Sequence, residues 1–301
     1  MKSLSELMKE AWQKQILIPA FNVAYLSMTK TIVDTLKELE TFGLVEVARP
    51  DVEKFGAKSF ACVAEEFYKY ADLNYTRLHL DHIPVIDEDG NQVNWEDLIQ
   101  EGINLGYHSV MIDGSRLPLE ENISCTRKVV EMAHPKGIPV EAELGAVLGH
   151  ESGPLPPYEE LFETKKGFTS VEDAGFFVEK TNVDWLSVAI GNIHGAISGV
   201  AKDMKKLEAR LDIEHLKKLK EKTQRPLVLH GGSGVRIEYL KEAIKNGITK
   251  INIGTEIRQA YESGFKESGG DRSYACSKVA EKMKELIALY GIRGSANKLV
   301  F

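Results

Sequence analysis

Cysteine is scarce in this chain, with three in 301 residues, at positions 62, 125 and 276. They are far apart, odd in number and include no C-x-x-C pair, which argues against a disulfide framework and favours a reducing compartment. Long apolar runs are also missing. The first eight residues contain no signal-peptide core, and no run approaches the roughly 20 apolar residues that a membrane helix needs. We therefore expect a cytoplasmic protein with no membrane partner.

An excess of positive charge is absent as well. The chain has 38 Lys and Arg against 45 Asp and Glu, a net charge of -7. This balance argues against nucleic-acid binding, although it permits a local basic pocket for a phosphorylated metabolite. At 43% hydrophobic and 28% charged residues, the chain is not of the disordered class and can bury the core of a large α/β domain.

Eight short apolar segments alternate with amphipathic ones along the chain. The predicted strands are 16–23, 44–48, 76–80, 109–112, 139–142, 185–189, 226–229 and 250–253. Segments with 3.6-residue apolar spacing separate them, and Ser27, Asn94 and Ser170 are placed to cap three of these helices. The alternation predicts a parallel (β/α)8 barrel, with a doubly wound open sheet as the competing fold. We prefer the barrel because it gathers the polar strand ends at one mouth.

Three segments depart from the regular alternation. Within a single domain over 1–301 we expect an insertion near 83–93, a lid-like loop near 146–169, and a C-terminal helix and tail near 257–301. The lid-like segment is rich in Gly, Pro and charge, and it is too long for an ordinary connection in a compact domain.

Histidines follow three of the predicted strands. His82, His194 and His230 come after strands three, six and seven. Neutral imidazole suits zinc, and catalytic zinc sites commonly use three protein ligands and keep a fourth position open. Any one of these histidines alone is more simply a core or capping residue. Three at equivalent strand ends indicate a metal site.

Two carboxylates accompany these histidines. Asp81 precedes His82 and can orient a ligand, form a salt bridge or exchange a proton. Strict strand alternation would send Asp81 and His82 to opposite sides, although the geometry loosens at a strand end. Glu143 follows strand five and can be a metal ligand, a hydrogen-bonding residue or a buried salt-bridge partner.

Small residues follow the last two predicted strands, at 231–234 and 252–255. In (β/α)8 barrels the loops after strands seven and eight often bind phosphate through backbone N–H groups. The hydroxyls of Ser233 and Thr255 strengthen this interpretation. The alternative is a pair of tight turns with no ligand.

These motifs resemble the class II, zinc-dependent ketose-bisphosphate aldolases, which include fructose- and tagatose-bisphosphate enzymes. The resemblance covers nearly the whole chain, and it is carried by the segments 19–22, 79–82, 111–115, 120–122, 140–145, 188–195, 229–234 and 252–256. It implies a carbon–carbon lyase that cleaves a phosphorylated ketose to dihydroxyacetone phosphate and an aldehyde.

The resemblance also implies roles for individual residues. Zinc, or another divalent metal, would be bound by His82, His194 and His230, with Glu143 beside a second metal position. Asp81 would be the proton donor to the C4 oxygen during cleavage, and Glu151 on the lid would exchange the C3 proton. The residues implied in substrate and phosphate binding are Asn22, Gly195, Gly231, Ser233, Asn252, Gly254, Thr255 and Arg258. A monovalent cation (Na⁺ or K⁺) near Gly195 and a homodimer or homotetramer are further implications.

Some positions depart from the family pattern. Residues 83–86 and an acidic turn stand where the family has a glycine and a helix, and Arg49 lies where it has a serine. Arg49 can read a phosphate or carboxylate, or pair with Asp51. Gly254 matches the small residue of tagatose-type members. The substrate therefore stays open between fructose bisphosphate, tagatose bisphosphate and another phosphorylated ketose.

Two other functions use the same features. A metal-dependent hydrolase on the barrel would need the three histidines but not two phosphate loops. A non-catalytic sugar-phosphate sensor would bind ligand without turnover, which the presence of Asp81 and the histidines disfavours.

Overall fold

In a computed structural model of the protein, eight parallel strands form a closed barrel in which each strand pairs with the next and β8 pairs with β1. The structure describes residues 1–145, 158–192, 209–232 and 235–301. The strands are β1 (Ile18–Asn22), β2 (Gly43–Ala48), β3 (Thr76–Pro84), β4 (Ser109–Asp113), β5 (Val140–Leu144), β6 (Trp185–Val188), β7 (Leu227–Leu229) and β8 (Ile248–Ile253). The predicted (β/α)8 barrel is confirmed, and the open sheet is excluded.

Helices lie before the first strand, between the strands and after the last one. They are α1 (Leu4–Lys14), α2 (Met28–Glu38), α3 (Arg49–Glu53), α4 (Phe60–Tyr70), α5 (Trp95–Asn104), α6 (Leu119–Ala133), α7 (Tyr158–Thr164), α8 (Val171–Thr181), α9 (Ile213–Thr223), α10 (Ile237–Lys245), α11 (Thr255–Glu267), α12 (Arg272–Tyr290) and α13 (Ala296–Leu299). A candidate membrane span would be a long, uninterrupted apolar helix, and none of the helices described has those properties.

The predicted caps are only partly correct. The Ser170 hydroxyl accepts a hydrogen bond from the backbone N–H of Asp173, as expected at the start of α8. Ser27 has helical dihedral angles, and its hydroxyl donates to the Tyr261 hydroxyl instead. Asn94 donates its amide to the Asp97 side chain and makes no cap bond. Both predictions failed because a cap needs an extended backbone as well as a suitable side chain.

The barrel interior is layered from apolar to charged. At the amino-terminal end of the strands, Leu44, Trp185 and Val228 belong to an apolar cluster that also contains residues of α1 and α13. Further along the same inward face lie ionisable side chains with no exposed surface, namely Glu46, His79, Glu141 and Lys250. The alternate strand residues, including Val45, Leu78 and Leu80, pack in the main core with the helices. The apolar layer therefore closes the bottom of the barrel and leaves the polar residues toward the mouth.

Residues 83–93 divide into a strand end and a turn. Ile83 and Pro84 belong to β3 and pair with β4 after a register shift between Leu80 and Ile83. Beyond them the backbone of Val85 accepts from Val93 N–H, so the chain folds back on itself. Two ion pairs join this turn to α3 and the residue after it, Arg49–Asp87 at 3.4 Å and Lys54–Glu88.

Arg49 is not paired with Asp51. Its guanidinium contacts Glu53 at 2.6 Å and Asp87, whereas the Asp51 carboxylate turns inward and accepts from the Ala48 N–H at 2.9 Å. One turn of helix separates Arg49 from Glu53, which brings their side chains to the same face, and Asp51 is held at the start of α3.

Two other predicted features can be compared only in part. Of the lid-like segment, residues 146–157 lie outside the described residues, and the remainder contains α7. In the C-terminal region α11 and α12 are separated at Gly269 and Gly270, both of which have positive φ angles, 68° and 106°. Glycine adopts these angles at little cost, so the chain can end one helix here and begin the next.

Candidate active site and metal centre

A cavity at the carboxyl ends of the strands is lined by all ten predicted site residues that the structure describes. Its predicted lining residues are Asn22, Asp81, His82, Glu143, His230, Gly231, Asn252, Gly254, Thr255 and Arg258. It is also lined by residues to which no role was assigned, among them Phe55, Pro84, Ile86, Glu88, Asp113 and Arg116. The predicted residues Glu151, His194, Gly195 and Ser233 lie outside the described part of the chain.

Asp81 and His82 both face this cavity although they are neighbours on β3. His82 has φ of 39°, a left-handed conformation that is uncommon for residues with a side chain. It lies within the register shift between Leu80 and Ile83. Such irregularities re-aim side chains at strand ends. The irregularity therefore interrupts the alternation of β3 and lets the adjacent side chains of Asp81 and His82 face the same cavity.

His82 and His230 bring ring nitrogens together. The Nδ1 atom of His230 lies 2.7 Å from Nε2 of His82 and 3.2 Å from the Glu143 carboxylate. On the other edge of its ring, His230 Nε2 lies 2.8 Å from Glu141 Oε1. Because a carboxylate accepts but does not donate, Glu141 holds a proton on Nε2, and Nδ1 is the nitrogen on the cavity side that can bind a metal. This is how a histidine metal ligand is usually oriented.

The donor set fits a divalent metal. One atom each from Asp81, His82 and His230 lie within 4.8 Å of one another, and so do atoms of His82, Asp113 and Glu143. Imidazole nitrogens with a carboxylate oxygen are ligands that suit zinc. The described residues thus supply two of the three predicted histidine ligands and the predicted carboxylate.

Carboxylates surround both histidines and favour a proton on the pair when no metal is bound. Burial opposes the charged imidazolium, but Glu141 and Glu143 outweigh it and raise the pKa of His230 above its usual value. Asp81 and Asp113 do the same for the pKa of His82, against burial and His230. In turn His82 lowers the pKa of Asp113, whose burial acts in the opposite direction. A metal must therefore displace a proton to bind.

Asp81 is held between two side-chain amides. Asn22 donates to Oδ2 at 3.1 Å and Asn252 donates to Oδ1 at 2.8 Å. Burial alone would raise the pKa of this carboxyl, yet His82, Lys250 and His230 lower it below its usual value. Asp81 is therefore an ionised carboxylate with a fixed orientation. Nearby, burial raises the pKa of Asp51, which also accepts from Asn22, to about 7.

Beside Asp81 the wall after β7 and β8 is made of small residues. A β-carbon on Gly254 would lie 3.0 Å from the amide oxygen of Asn22, and one on Gly232 would lie 2.4 Å from Ile251. The amino terminus of α11, at Thr255, opens onto the same cavity. A helix amino terminus with small neighbours lets backbone N–H groups approach an anion.

Arg258 lies one turn further along α11. Its Nη1 atom contacts both carboxylate oxygens of Glu262 at 2.9 Å, and its guanidinium lies 4.6 Å from the centre of the Phe55 ring. Arg258 therefore lines the cavity, and its contacts with Glu262 and Phe55 of the same chain hold its guanidinium in position.

The charged residues beneath the cavity were not among the site residues predicted from the sequence. Three strands carry pairs two residues apart on the inward face: His79 and Asp81, Glu141 and Glu143, Lys250 and Asn252. An ionisable residue two positions before a site residue shares its face, since side chains alternate along a strand. This spacing is visible in the sequence and could have predicted that His79, Glu141 and Lys250 lie beneath the site residues.

A closed (β/α)8 barrel with a cluster of histidines and carboxylates at its carboxyl-terminal mouth defines an enzyme of the metal-dependent barrel class. The chain matches the family model described as fructose-bisphosphate aldolase class-II over residues 2–298. It belongs to that family and is a class II aldolase, a carbon–carbon lyase. Members of the family are generally metal-dependent, and they act on small sugar phosphates.

Solved structures agree with this assignment. The YdjI aldolase from Escherichia coli K12 is 29% identical, with a TM-score of 0.75 over 98% of this chain and 99% of that one. A putative fructose-1,6-biphosphate aldolase from Coccidioides immitis is 22% identical, with a TM-score of 0.76 over 97% of each chain. Fructose-bisphosphate aldolase from Campylobacter jejuni is 19% identical, with a TM-score of 0.75 over 97% and 94%. The last two show likeness of fold.

Proposed function

We propose that the protein catalyses the zinc-dependent, reversible aldol cleavage of a phosphorylated ketose similar to fructose or tagatose bisphosphate. The products are dihydroxyacetone phosphate and an aldehyde such as glyceraldehyde 3-phosphate. The observation that carries the proposal is the position of the Asp81 carboxylate, which lies with His82 and His230 in one group of potential ligands at the barrel mouth.

In this proposal His82, His194 and His230 bind the metal, which is zinc or another divalent ion, and Glu143 lies beside a second metal position. The metal supplies an electrophile for the ketose carbonyl. The contact between His230 and Glu141 supports the assignment, because it holds the proton of Nε2 and leaves Nδ1 on the cavity side for the metal.

Asp81 is the proposed acid and base at the C4 oxygen. Breaking the C3–C4 bond converts the C4 hydroxyl to an aldehyde, so this oxygen loses a proton in cleavage and gains one in synthesis. Asp81 therefore accepts the proton during cleavage and donates it during condensation, which reverses the direction that the resemblance implied. An ionised carboxylate held by Asn22 and Asn252 suits the acceptor role.

The phosphate-bearing end of the substrate is proposed to lie against the loops after β7 and β8. The residues proposed to contact the substrate there are Asn22, Gly195, Gly231, Ser233, Asn252, Gly254 and Thr255. Arg258 is proposed to reach the far phosphate of the substrate in a neighbouring subunit. The small residues and the amino terminus of α11 support this placement, since both favour close approach of an anion to backbone N–H groups.

Further proposals follow the resemblance. Glu151 exchanges the C3 proton, Gly195 lies near a bound Na⁺ or K⁺, and the protein is a homodimer or homotetramer. We also propose one domain over residues 1–301 and a cytoplasmic location, for which the scarcity of cysteine is the support.

A different phosphorylated ketose is the second candidate substrate. Pro84, Ile86 and Glu88 line the cavity on the side where the chain departs from the family pattern. An apolar and acidic wall there favours a substrate whose far end is less anionic than a phosphate.

The test couples triose phosphate formation to a detectable reduction, with fructose and tagatose bisphosphates as substrates. Metal-stripped protein, zinc-reloaded protein and an Asp81→Ala variant are compared, and Asp34→Ala on the exposed face of α2 is the matched control. We expect cleavage that needs both zinc and Asp81. Cleavage by metal-stripped protein, or by Asp81→Ala at the wild-type rate, would contradict the proposal. Release of inorganic phosphate without triose phosphate would instead indicate a hydrolase.

A further inference from the structure

The buried ionisable layer under the active site is centred on Lys250. Its ammonium lies 3.0 Å from Glu141 Oε2, 3.4 Å from Glu46 Oε2 and 2.6 Å from the amide oxygen of Asn252. Lys250 has no exposed surface and does not line the cavity. A buried charge is costly unless it is paired, so this ammonium and its partners hold one another in place.

One set of contacts leads from Lys250 to Asp81. The Asn252 side chain can accept at its oxygen or donate at its nitrogen, and the neighbours at each end decide which way it points. An ammonium only donates, so Lys250 fixes the oxygen of Asn252 on its side. The nitrogen then faces Asp81 and donates to Oδ1 at 2.8 Å. Lys250 thus influences the orientation of the Asp81 carboxylate indirectly, through the side chain of Asn252.

A second set of contacts leads from Lys250 to His230. Glu141 Oε2 accepts from Lys250 and from the indole N–H of Trp185 at 2.7 Å, which leaves Oε1 to face His230 Nε2 at 2.8 Å. The carboxylate that sets the tautomer of His230 is therefore itself positioned by Lys250. Partners of this kind orient metal ligands and raise their affinity for the metal.

Two other roles for the layer are less consistent with the contacts. Glu46, His79 and Asp81 have atoms within 4.8 Å of one another, a spacing that a metal can use. The Lys250 ammonium already lies against Glu46 and would repel a cation there. A nucleophilic amine is excluded as well, because Lys250 is separated from the cavity and paired with a carboxylate.

We propose that Lys250 is a positioning residue that couples the acid and base Asp81 to the metal ligand His230. One ammonium orients Asn252 toward Asp81 and Glu141 toward His230. The inference rests on the proposed function for the role of Asp81, whereas its second half concerns metal affinity and can be measured without turnover. Loss of Lys250 therefore affects two separate properties at once.

The experiment uses Lys250→Met, which keeps an unbranched side chain of nearly the same length and removes its ammonium group. Glu46→Gln is the matched control, since it lies in the same layer but contacts neither Asn252 nor His230. Folding is checked by circular dichroism and thermal unfolding. If Lys250→Met does not fold, the Lys250→Met/Glu46→Gln double variant, which has one buried acid fewer, takes its place.

Zinc affinity is measured by competition with a chromophoric chelator. We expect Lys250→Met to weaken zinc binding about tenfold to a hundredfold, the usual effect of losing an outer-shell partner. Glu46→Gln should change it less than about threefold. In a Glu141→Gln background, Lys250→Met should have little further effect, because the contact through which it acts is already altered. Equal losses in both backgrounds would overturn this half of the proposal.

Turnover is measured at saturating zinc on the ketose that the wild-type protein cleaves. We expect Lys250→Met to lower kcat at least about tenfold with little change in KM, and to lose most of this effect in an Asn252→Ala background. Exchange of the C3 hydrogen of dihydroxyacetone phosphate with solvent, which does not use Asp81, should be retained. An unchanged kcat, or exchange lost in parallel with kcat, would overturn this half. Failure of the wild-type protein to cleave any ketose would refute the proposed function and leave the zinc measurement standing.

Discussion

The Nε2 atom of His82 lies 2.7 Å from the Nδ1 atom of His230, although the two residues are 148 positions apart in the sequence. They approach because β3 and β7 end at the same mouth, and because the irregularity in β3 turns His82 toward the cavity. Two imidazole nitrogens at this distance share a proton or bind a common metal. The negative charge of the surrounding carboxylates stabilises a proton or a metal ion at this position.

Competition between protons and metal predicts a steep pH dependence of zinc affinity. Glu141 and Glu143 raise the pKa of His230, and Asp81 and Asp113 raise that of His82. The protonated metal-free form therefore persists through neutral pH, and zinc binding must release a proton. We expect affinity to increase about tenfold or more per pH unit between pH 6 and pH 8. Chelator competition measures it, and an affinity independent of pH would contradict the prediction.

Replacement of Asp81 by asparagine should remove proton transfer while preserving shape. We expect kcat to fall by about 10² to 10⁴, with KM and zinc affinity little changed. The amide introduced by Asp81→Asn would also place its NH2 against one of the amide donors of Asn22 and Asn252, which costs about 1–3 kcal/mol of stability. Steady-state kinetics and thermal unfolding measure these effects. Wild-type turnover by a folded Asp81→Asn protein would rule out its proposed role.

Gly254→Ala should disturb the position of Asp81 through Asn22. The new β-carbon would lie 3.0 Å from Asn22 Oδ1, so Asn22 must shift, and its bond to Asp81 would lengthen. We expect a loss of kcat/KM of about tenfold, since small displacements of catalytic groups are costly. Gly175→Ala on α8 is the control, because the three atoms nearest to its β-carbon would all belong to the flexible Lys222 side chain, which does not line the cavity. Equal activity in the two variants would show that this wall tolerates a methyl group.

Glu88→Gln should improve binding of an anionic substrate. Glu88 lines the cavity, and its carboxylate repels a phosphorylated ligand even though Lys54 compensates part of its charge. We expect KM for a bisphosphate to fall a few-fold with kcat unchanged, and the difference to shrink at high ionic strength. Glu53→Gln, which pairs with Arg49 outside the cavity, is the matched control. An unchanged KM at low ionic strength would place the phosphates away from this wall.

Sequence patterns were sufficient for the strand order and for the residues at the mouth. Apolar runs of four to eight residues predicted all eight strands to within a few positions, and the polar residues after them line the cavity where described. These features can be read from short stretches of sequence. A buried strand requires an apolar run, and the carboxyl ends of all the parallel strands in a barrel lie at the same face. The caps at Ser27 and Asn94 were wrong, and of the two alternatives for Arg49 the pairing with Asp51 is not present. Each depends on backbone angles or on side chains from another element.

By itself, the sequence determined a (β/α)8 barrel, its family and the position of His82 and His230 at its mouth, because the alternation of strands and helices and the short motifs carry that information. Only the tertiary structure decided that Lys250 joins Glu141 to Asn252, that Asp81 is held by two amides, and that His82 leaves the alternation of its strand. The first two relationships join residues from different strands, and the third lies where the pairing of β3 with β4 shifts register. They depend on the register in which the strands pair, which no single stretch of sequence specifies.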